Sequence, residues 1–251
     1  AVFGQVGFHF TDSLKLEIGG RYSKSRTSND VSVVQYGLPL IDKQSARYSN
    51  FSGKVSLDWT VNDRNFLYAF VASGYRPGGL NVPVGLGLPV PFDEEKVTSL
   101  EAGWKAQWLD GHLRTQVDAF RNNYQNFQVT IGYPDYPTFG IELNTPNPTK
   151  IYGFEAQLQA VFGDWSIYTN FALMHSSLGQ FYATDPRIPS VAPCDPKTGP
   201  AGPGCVDLAG SDQTYAPNLT FNIGLQPTFH VGNDTLTPPI NYAHISTPSA
   251  T

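Results

Sequence analysis

The sequence predicts an all-β fold: an antiparallel up-and-down transmembrane β-barrel, of which this chain supplies about ten strands of a larger whole. Three observations predict it. Apolar and polar residues alternate through long segments, the connections between those segments alternate strictly between short and long, and large aromatics gather beside the short connections.

The chain opens inside a strand, AVFGQVGFHF over 1–10, and Thr11-Asp12-Ser13 turns it into a second strand over 14–26. There Leu16 and Ile18 oppose Lys15, Glu17 and Arg21, which gives one oily and one charged face. The connection 27–45 is long, and it leads to a strand over 46–60 in which Val55 and Leu57 oppose Lys54 and Asp58. Val61 to Asn65 returns the chain tightly into 66–76. After the Pro- and Gly-rich stretch 77–95 come strands over 96–108 and 112–131, joined at Asp110-Gly111. Leu100, Ala102, Trp104, Ala106 and Trp108 share one parity, while Glu101, Gly103, Lys105 and Gln107 share the other; Val117 continues against Arg114 and Asp118. The connection 132–146 precedes strands over 147–163 and 165–181, which turn at Gly163-Asp164, with Phe154 and Leu158 opposing Glu155. The last long connection, 182–215, leads to strands over 216–231 and 235–247 around Gly232-Asn233-Asp234. The pattern contains no convincing helix.

Tight turns join antiparallel neighbours, and their regular alternation with long loops describes a meander elaborated at one end. Strands of roughly 11 to 20 residues exceed the usual 5 to 6, whereas a tilted membrane strand needs about 9 to 11 for the hydrocarbon alone. Alternation by itself does not separate a soluble sandwich from a membrane barrel, because the two differ only in which face points outward. The aromatics decide. Phe10, Trp59, Phe66, Trp108 and Trp165 lie within about two residues of the short turns, as an aromatic belt at one bilayer interface requires. The oily face then meets lipid, and the charged face lines a polar lumen. In lipid every backbone group must be paired internally, so the complete sheet closes on itself.

Composition agrees. Hydrophobic residues make up 40% and charged residues 15% of the 251, while Gly 24, Pro 20, Tyr 13 and Phe 16 favour strands and turns. A net charge of -5 and the lack of any basic run leave no footprint for a nucleic-acid partner. No apolar run approaches the roughly 18 residues of a membrane helix. The chain starts mid-strand without a leader and stops at HISTPSAT without a terminal aromatic strand, so both ends read as cut from something longer.

Three stretches carry a family resemblance. LYAFVASGYRPGGLN (67–81) runs from an aromatic-rich strand into a Gly-Tyr-Arg-x-Gly-Gly-x-Asn exit. FDEEKVTSLEAGWKAQWLDGHLRTQVDAFRNNYQNFQV (92–129) holds Glu-x-Gly-x-Lys, an Asp-Gly turn and Phe-x-x-x-Tyr. NPTKIYGFEAQLQAVF (147–162) opens a strand with Gly-Phe-Glu. In this order they resemble the barrel of TonB-dependent outer-membrane receptors, and the resemblance covers nearly the whole chain. It implies a 22-stranded class of barrel with a plugged lumen in the bacterial outer membrane, importing a scarce nutrient such as a ferric siderophore with energy delivered by TonB. Residues 1–251 would be a middle-to-late portion of that barrel domain. The plug domain, a TonB box and the closing strands are not in the sequence.

Chemistry-bearing clusters are few. His9, His112, His175, His230 and His244 are dispersed without a carboxylate or Cys at ligand spacing, so no metal site is assigned. SGYRPGGLN lacks the following helix that a phosphate cradle needs. No Ser-His-Asp or Cys-His arrangement follows from spacing, so no catalytic residue, enzyme activity or cofactor is expected. Cys194 and Cys205 share a Pro/Gly-rich segment; a local disulfide closing a surface loop is the preferred reading over two free thiols. At the elaborated end, Tyr75, Arg76, Asn81, Tyr133, Tyr136 and Arg187 are the candidate ligand-binding residues, because an anionic, partly aromatic iron chelate calls for charge and stacking. A passive porin-like channel, an enzyme or adhesin on a barrel, and a soluble lectin-like β protein are the competing readings.

Overall fold

A computed structural model of the chain describes residues 1–35, 37–81, 91–133, 136–185, 188, 194–195, 197–199, 204–213 and 216–246. Its strands are β1 (Val2–His9), β2 (Leu14–Gln35), β3 (Leu38–Asn62), β4 (Asn65–Arg76), β5 (Glu95–Trp108), β6 (Leu113–Gln125), β7 (Gln128–Tyr133) and β8 (Tyr136–Asn144). They continue as β9 (Thr149–Phe162), β10 (Trp165–Ser177), β11 (Tyr182–Thr184), β12 (Cys205–Asp207), β13 (Leu219–Pro227), β14 (Phe229–Val231), β15 (Asp234–Leu236) and β16 (Ile240–Ile245). Ten of them form one antiparallel wall in the order β1-β2-β3-β4-β5-β6-β9-β10-β13-β16, and the remainder pair as three small hairpins, β7-β8, β11-β12 and β14-β15. Every wall strand lies beside its neighbour in the chain, with small hairpins inserted into the connections, which is the predicted meander.

Register settles the faces. Leu16 faces Leu57, Ile18 faces Val55, Val55 faces Val71, Leu67 faces Trp104, and Trp104 faces Val117. Val117 then faces Ala156, Ala156 faces Phe171, and Phe171 faces Phe221. Directly opposed residues share a face, so one side of the wall is apolar across the sheet. The charged residues named from parity, from Lys15 and Lys54 to Asp118 and Glu155, all lie on the other. Leu100 stays 50% and Phe154 41% exposed, because a single-layer wall supplies them no core; lipid does.

Trp59, Trp108, Phe162 and Trp165 form the aromatic band beside the short turns, with Phe162 and Trp165 directly opposed. The indole N–H of Trp108 donates to Thr115 Oγ1 at 2.9 Å and that of Trp104 to Asn65 Oδ1 at 3.0 Å, so both rings stay in the apolar layer without an orphaned donor. Phe66 is corrected. It faces Thr60 and Lys105 and therefore lies on the polar side, where its ring stacks with that of Tyr68 at 6.3 Å. Nearness to a turn did not distinguish its parity, and Phe162 takes its place in the band.

Several boundaries also move. β2 and β3 continue as a paired arm from Arg26↔Arg47 out to Gln35↔Leu38, where the sequence predicted a loop over 27–45; Thr27 to Asp30 and their partners Ala46 to Lys43 are almost wholly polar, so the hydrophobic alternation of the wall is interrupted there and does not announce the arm. The predicted strand over 112–131 breaks at Asn126, whose φ of 52° is left-handed, and β7 leaves the wall to pair with β8. The turn before β6 has left-handed backbone at Leu109 (φ 52°), Asp110 (φ 52°) and Gly111 (φ 89°), one residue more than the Asp-Gly pair suggested. Pro238 and Pro239 lack the N–H that a continued ladder needs, and the chain there is irregular between β15 and β16. β1 and β16 each pair on one side only among the described residues. In hydrocarbon those open ladders need neighbouring strands, so the wall is a portion of a closed barrel.

Candidate functional site

The middle of the polar face is built around Tyr68. Its hydroxyl donates to Glu101 Oε1 at 2.8 Å, and the Lys105 ammonium lies 5.5 Å from its ring centre. Gly103, directly opposite Tyr68, leaves the space the ring occupies: a Cβ there would stand 2.5 Å from the ring. The Glu-x-Gly-x-Lys spacing of β5 is therefore a cradle for one tyrosine, each member on the same face two residues apart. The device recurs. Phe120 covers Gly153, and Tyr168 covers Gly224, each pair directly opposed in register. These glycines buy room for rings that lie flat along the wall instead of projecting into the lumen.

Beside the cradle, Asp118 faces Glu155 across β6 and β9, and Glu101 lies on the neighbouring strand, so three carboxylates share one patch. Gln116 donates to Asp118 at 3.4 Å. Towards the short turns the face becomes basic and amide-rich, around a cavity of about 430 Å³ lined by Lys105, Gln107, Arg114, Gln116, Gln157 and Gln159. A face this polar holds water or another polar body, not a packed hydrocarbon core.

At the elaborated end, the exit of β4 is clamped. Gly79 and Phe92 exchange backbone hydrogen bonds at 3.1 Å, and the Tyr48 hydroxyl donates to Phe92 O at 2.9 Å. A Cβ on Gly78 would collide with Phe92 O and stand 2.6 Å from the Tyr48 ring; one on Gly79 would stand 2.5 Å from the Phe92 ring. The glycine pair exists for this close approach. Gln128, buried at the start of β7, donates from its side chain to Pro77 O and Asp93 O at 3.0 Å, and its backbone N–H donates to Glu95 Oε2 at 2.8 Å. Asn81 then grips β8. Its Nδ2 donates to Glu142 O at 2.9 Å and its Oδ1 accepts from Glu142 N at 2.8 Å, as a neighbouring strand would do. The Glu142 carboxylate accepts from Thr130 Oγ1 at 2.8 Å and pairs with Arg76 at 3.4 Å.

The chain matches the family described as TonB dependent receptor-like, beta-barrel, over residues 1–244. It belongs to that family. Among curated proteins it is 27% identical over 133 residues to the pesticin receptor of Yersinia pestis, covering 53% of this chain and 20% of that protein. The crystal structure of the ferric yersiniabactin uptake receptor FyuA from Yersinia pestis superposes with a TM-score of 0.74 at 18% identity, covering 97% of this chain and 33% of that one. The siderophore receptor PiuA from Acinetobacter baumannii gives a TM-score of 0.63 at 18% identity over 90% of this chain and 30% of that one. The chain thus spans about a fifth of the length of the curated relative it matches, at 20%. As a TonB-dependent receptor barrel it is a protein of the bacterial outer membrane, and the family consists of transporters, not enzymes.

Within this receptor wall the structure brings Arg76 and Asn81 together on Glu142, and separates them from Tyr75. Tyr75 faces Lys96 on the outward parity, so it points away from the lumen, while Arg76 is on the lumen parity. Asn81 is 5% exposed, with its amide committed to β8. Tyr133 and Tyr136 face each other at the tip of the β7-β8 hairpin, where only their backbone is described, and Arg187 lies outside the described residues. Cys194 and Cys205 are joined by a disulfide with Cα atoms 5.4 Å apart, which ties β12 to the Asp195 turn. There the backbone N–H groups of Lys197 and Thr198 donate to Asp195 and hold its carboxyl below the usual carboxylate range. Sequence reasoning missed Tyr48, Phe92, Gln128 and Glu142; the Gly78-Gly79 pair, as positions of close approach, was the one signal pointing to them. Among the described residues no three His, Cys, Asp or Glu side chains converge as a metal site.

Proposed function

We propose that the receptor to which this chain belongs captures a ferric siderophore outside the cell and imports it through a plugged lumen with energy from TonB. One observation carries the reading: an inner face bearing charged and amide side chains, from Lys15 and Lys54 to Asp118 and Glu155, runs along the wall below loops that side-chain hydrogen bonds clamp at one end. A wall of this kind suits a large polar cargo and a polar plug, and of the proteins it is similar to one is named a ferric yersiniabactin uptake receptor and another a siderophore receptor. Arg76, on the lumen parity beside the β7-β8 hairpin, and the hairpin tip at Tyr133 and Tyr136 are the proposed ligand contacts, with Asn81 acting by holding the hairpin in place. The test is uptake of radio-iron carried by a panel of ferric siderophores into cells expressing the full-length receptor, with and without TonB, alongside Arg76→Ala/Tyr133→Ala. Uptake lost without TonB and weakened by the double variant is expected. Uptake indifferent to TonB overturns the mechanism in favour of a passive channel, and uptake that depends on TonB but ignores the double variant discards those contacts.

A further inference from the structure

The outward face ends in cations. On β6, β9 and β10 the rung Ala119, Phe154, Leu173 is wholly apolar, and the next rung on the same face is Arg121, Tyr152, His175. The rung after that is Asn123, Lys150, Ser177. Arg121, Lys150, Tyr152, His175 and Ser177 line one open cleft of about 490 Å³, in which the Tyr152 and His175 rings lie 5.2 Å apart. Across β4 and β5 from this cleft the same pattern appears on the β2-β3 hairpin. Tyr22 and Phe51 close the apolar band there, and beyond them Lys24 and the directly opposed pair Arg26 and Arg47 face outward.

Height places these cations. From Leu113 beside the aromatic band to Arg121, at about 3.4 Å per residue, the strand rises about 27 Å. A tilt of about 40° reduces that to about 21 Å, close to the roughly 25 Å apolar band of outer-membrane barrels. The cleft therefore opens where hydrocarbon gives way to headgroups, at the end opposite the short turns. Among the described residues of the wall strands around it, no carboxylate shares its face. The outward parity from Leu14 to Arg26, Arg47 to Trp59, Lys96 to Trp108, Leu113 to Gln125, Lys150 to Phe162 and Trp165 to Ser177 contains no Asp or Glu. Opposed like charges such as Arg26 and Arg47 repel unless an anion lies between them.

We infer that this outward basic cleft is a docking site for a phosphate-bearing lipid headgroup of the leaflet at the elaborated end. Arg121 would take the phosphate oxygens bidentately and Lys150 as a point charge, while Tyr152, whose ring borders the acyl region and whose hydroxyl reaches the headgroup, packs against the glycerol or sugar. The surface is continuous with the lipid-facing band, so a lipid reaches it by lateral diffusion. The inference rests on the outward orientation of the apolar face and is independent of what the lumen transports.

The experiment uses the full-length receptor in maltoside micelles doped with phosphatidic acid or with phosphatidylcholine, and measures lipid retained after gel filtration. Phosphatidic acid should be retained selectively, and Arg121→Gln/Lys150→Gln should weaken its retention about tenfold or more. Arg114→Gln, which removes a charge from the inner face, should leave retention unchanged. Equal retention by the parent and the double variant overturns the site, and so does full displacement by equimolar inorganic phosphate, which would make it a free-anion site. Lys150→Gln alone, at an exposed position, gives the same reading if the double variant does not fold.

Discussion

Tyr68 shows how a few residue identities set the character of the inner wall. A phenol aimed straight into the lumen would present its ring to water; bent along the wall onto Gly103 it buries one ring face, bonds Glu101 and lies under Lys105. All three members of Glu-x-Gly-x-Lys are needed, and the glycine most strictly, because its neighbour is a ring with nowhere to move except off the wall. Gly103→Ala should therefore destabilise the full-length receptor by about 1 to 3 kcal/mol, the ordinary cost of forcing a methyl into a filled space. Gly4→Ala, where nothing lies within 4 Å of the added carbon, should be near neutral. Urea unfolding in lipid vesicles measures both, and equal midpoints would show that the ring readily swings away.

At the scale of the element, alternation is informative where the two faces meet different media and silent where they do not. The wall portions of β2 to β6, β9 and β10 were legible because Leu, Val and Trp on one parity oppose Lys, Asp and Glu on the other. The β2-β3 arm was not, because Thr27 to Asp30 and, opposite them, Lys43 to Ser45 are polar on both parities; β8 was missed although Ile141 and Leu143 alternate with Glu142 and Asn144, because the Gly-, Pro- and Tyr-rich run from Gly132 to Gly140 that leads into them reads as a loop. The clamp was hidden for a related reason: Asn81 and Gln128 act on backbone atoms, which carry no residue signature. Arg76 and Asn81 could be singled out from the motif, but their common partner Glu142 lies 61 residues beyond Asn81, in a strand that alternation did not reveal. The faces themselves give a sharp contrast. Leu158 lies outward, directly opposite Thr115 and Thr169 with Leu113, Val117, Ile167 and Phe171 on the flanking rungs, while Gln157 faces Gln116 and Asn170 inward. Leu158→Arg should cost about 2 to 4 kcal/mol near the bilayer midplane, and Gln157→Arg far less. Folding yields into vesicles compare them, and equal yields would mean that the sheet is inside out.

For the whole molecule, orientation follows from the asymmetry of its two ends. One end carries the turns at Thr11 to Ser13, Asp63-Arg64, Leu109 to Gly111 and Gly163-Asp164, with the aromatic band just above them; the other carries the β2-β3 arm, the clamped exit of β4 at Gly78-Gly79, the β7-β8 hairpin and the disulfide-tied β11-β12 hairpin. Barrels of this membrane keep short turns on the periplasmic side and long loops outside. The disulfide agrees, because such bonds persist in oxidising surroundings. A labelling experiment on intact cells separates the two orientations. Asp12→Cys sits in an exposed short turn, and Ser45→Cys is exposed on the β2-β3 arm; the native cysteines are bonded to each other and do not compete for the reagent. A membrane-impermeant maleimide should modify Ser45→Cys in intact cells and Asp12→Cys only after the outer membrane is opened. The reverse pattern would invert the wall and move the basic outward cleft to the periplasmic leaflet, so this one measurement bears on the loop assignment and on the lipid that the cleft can reach.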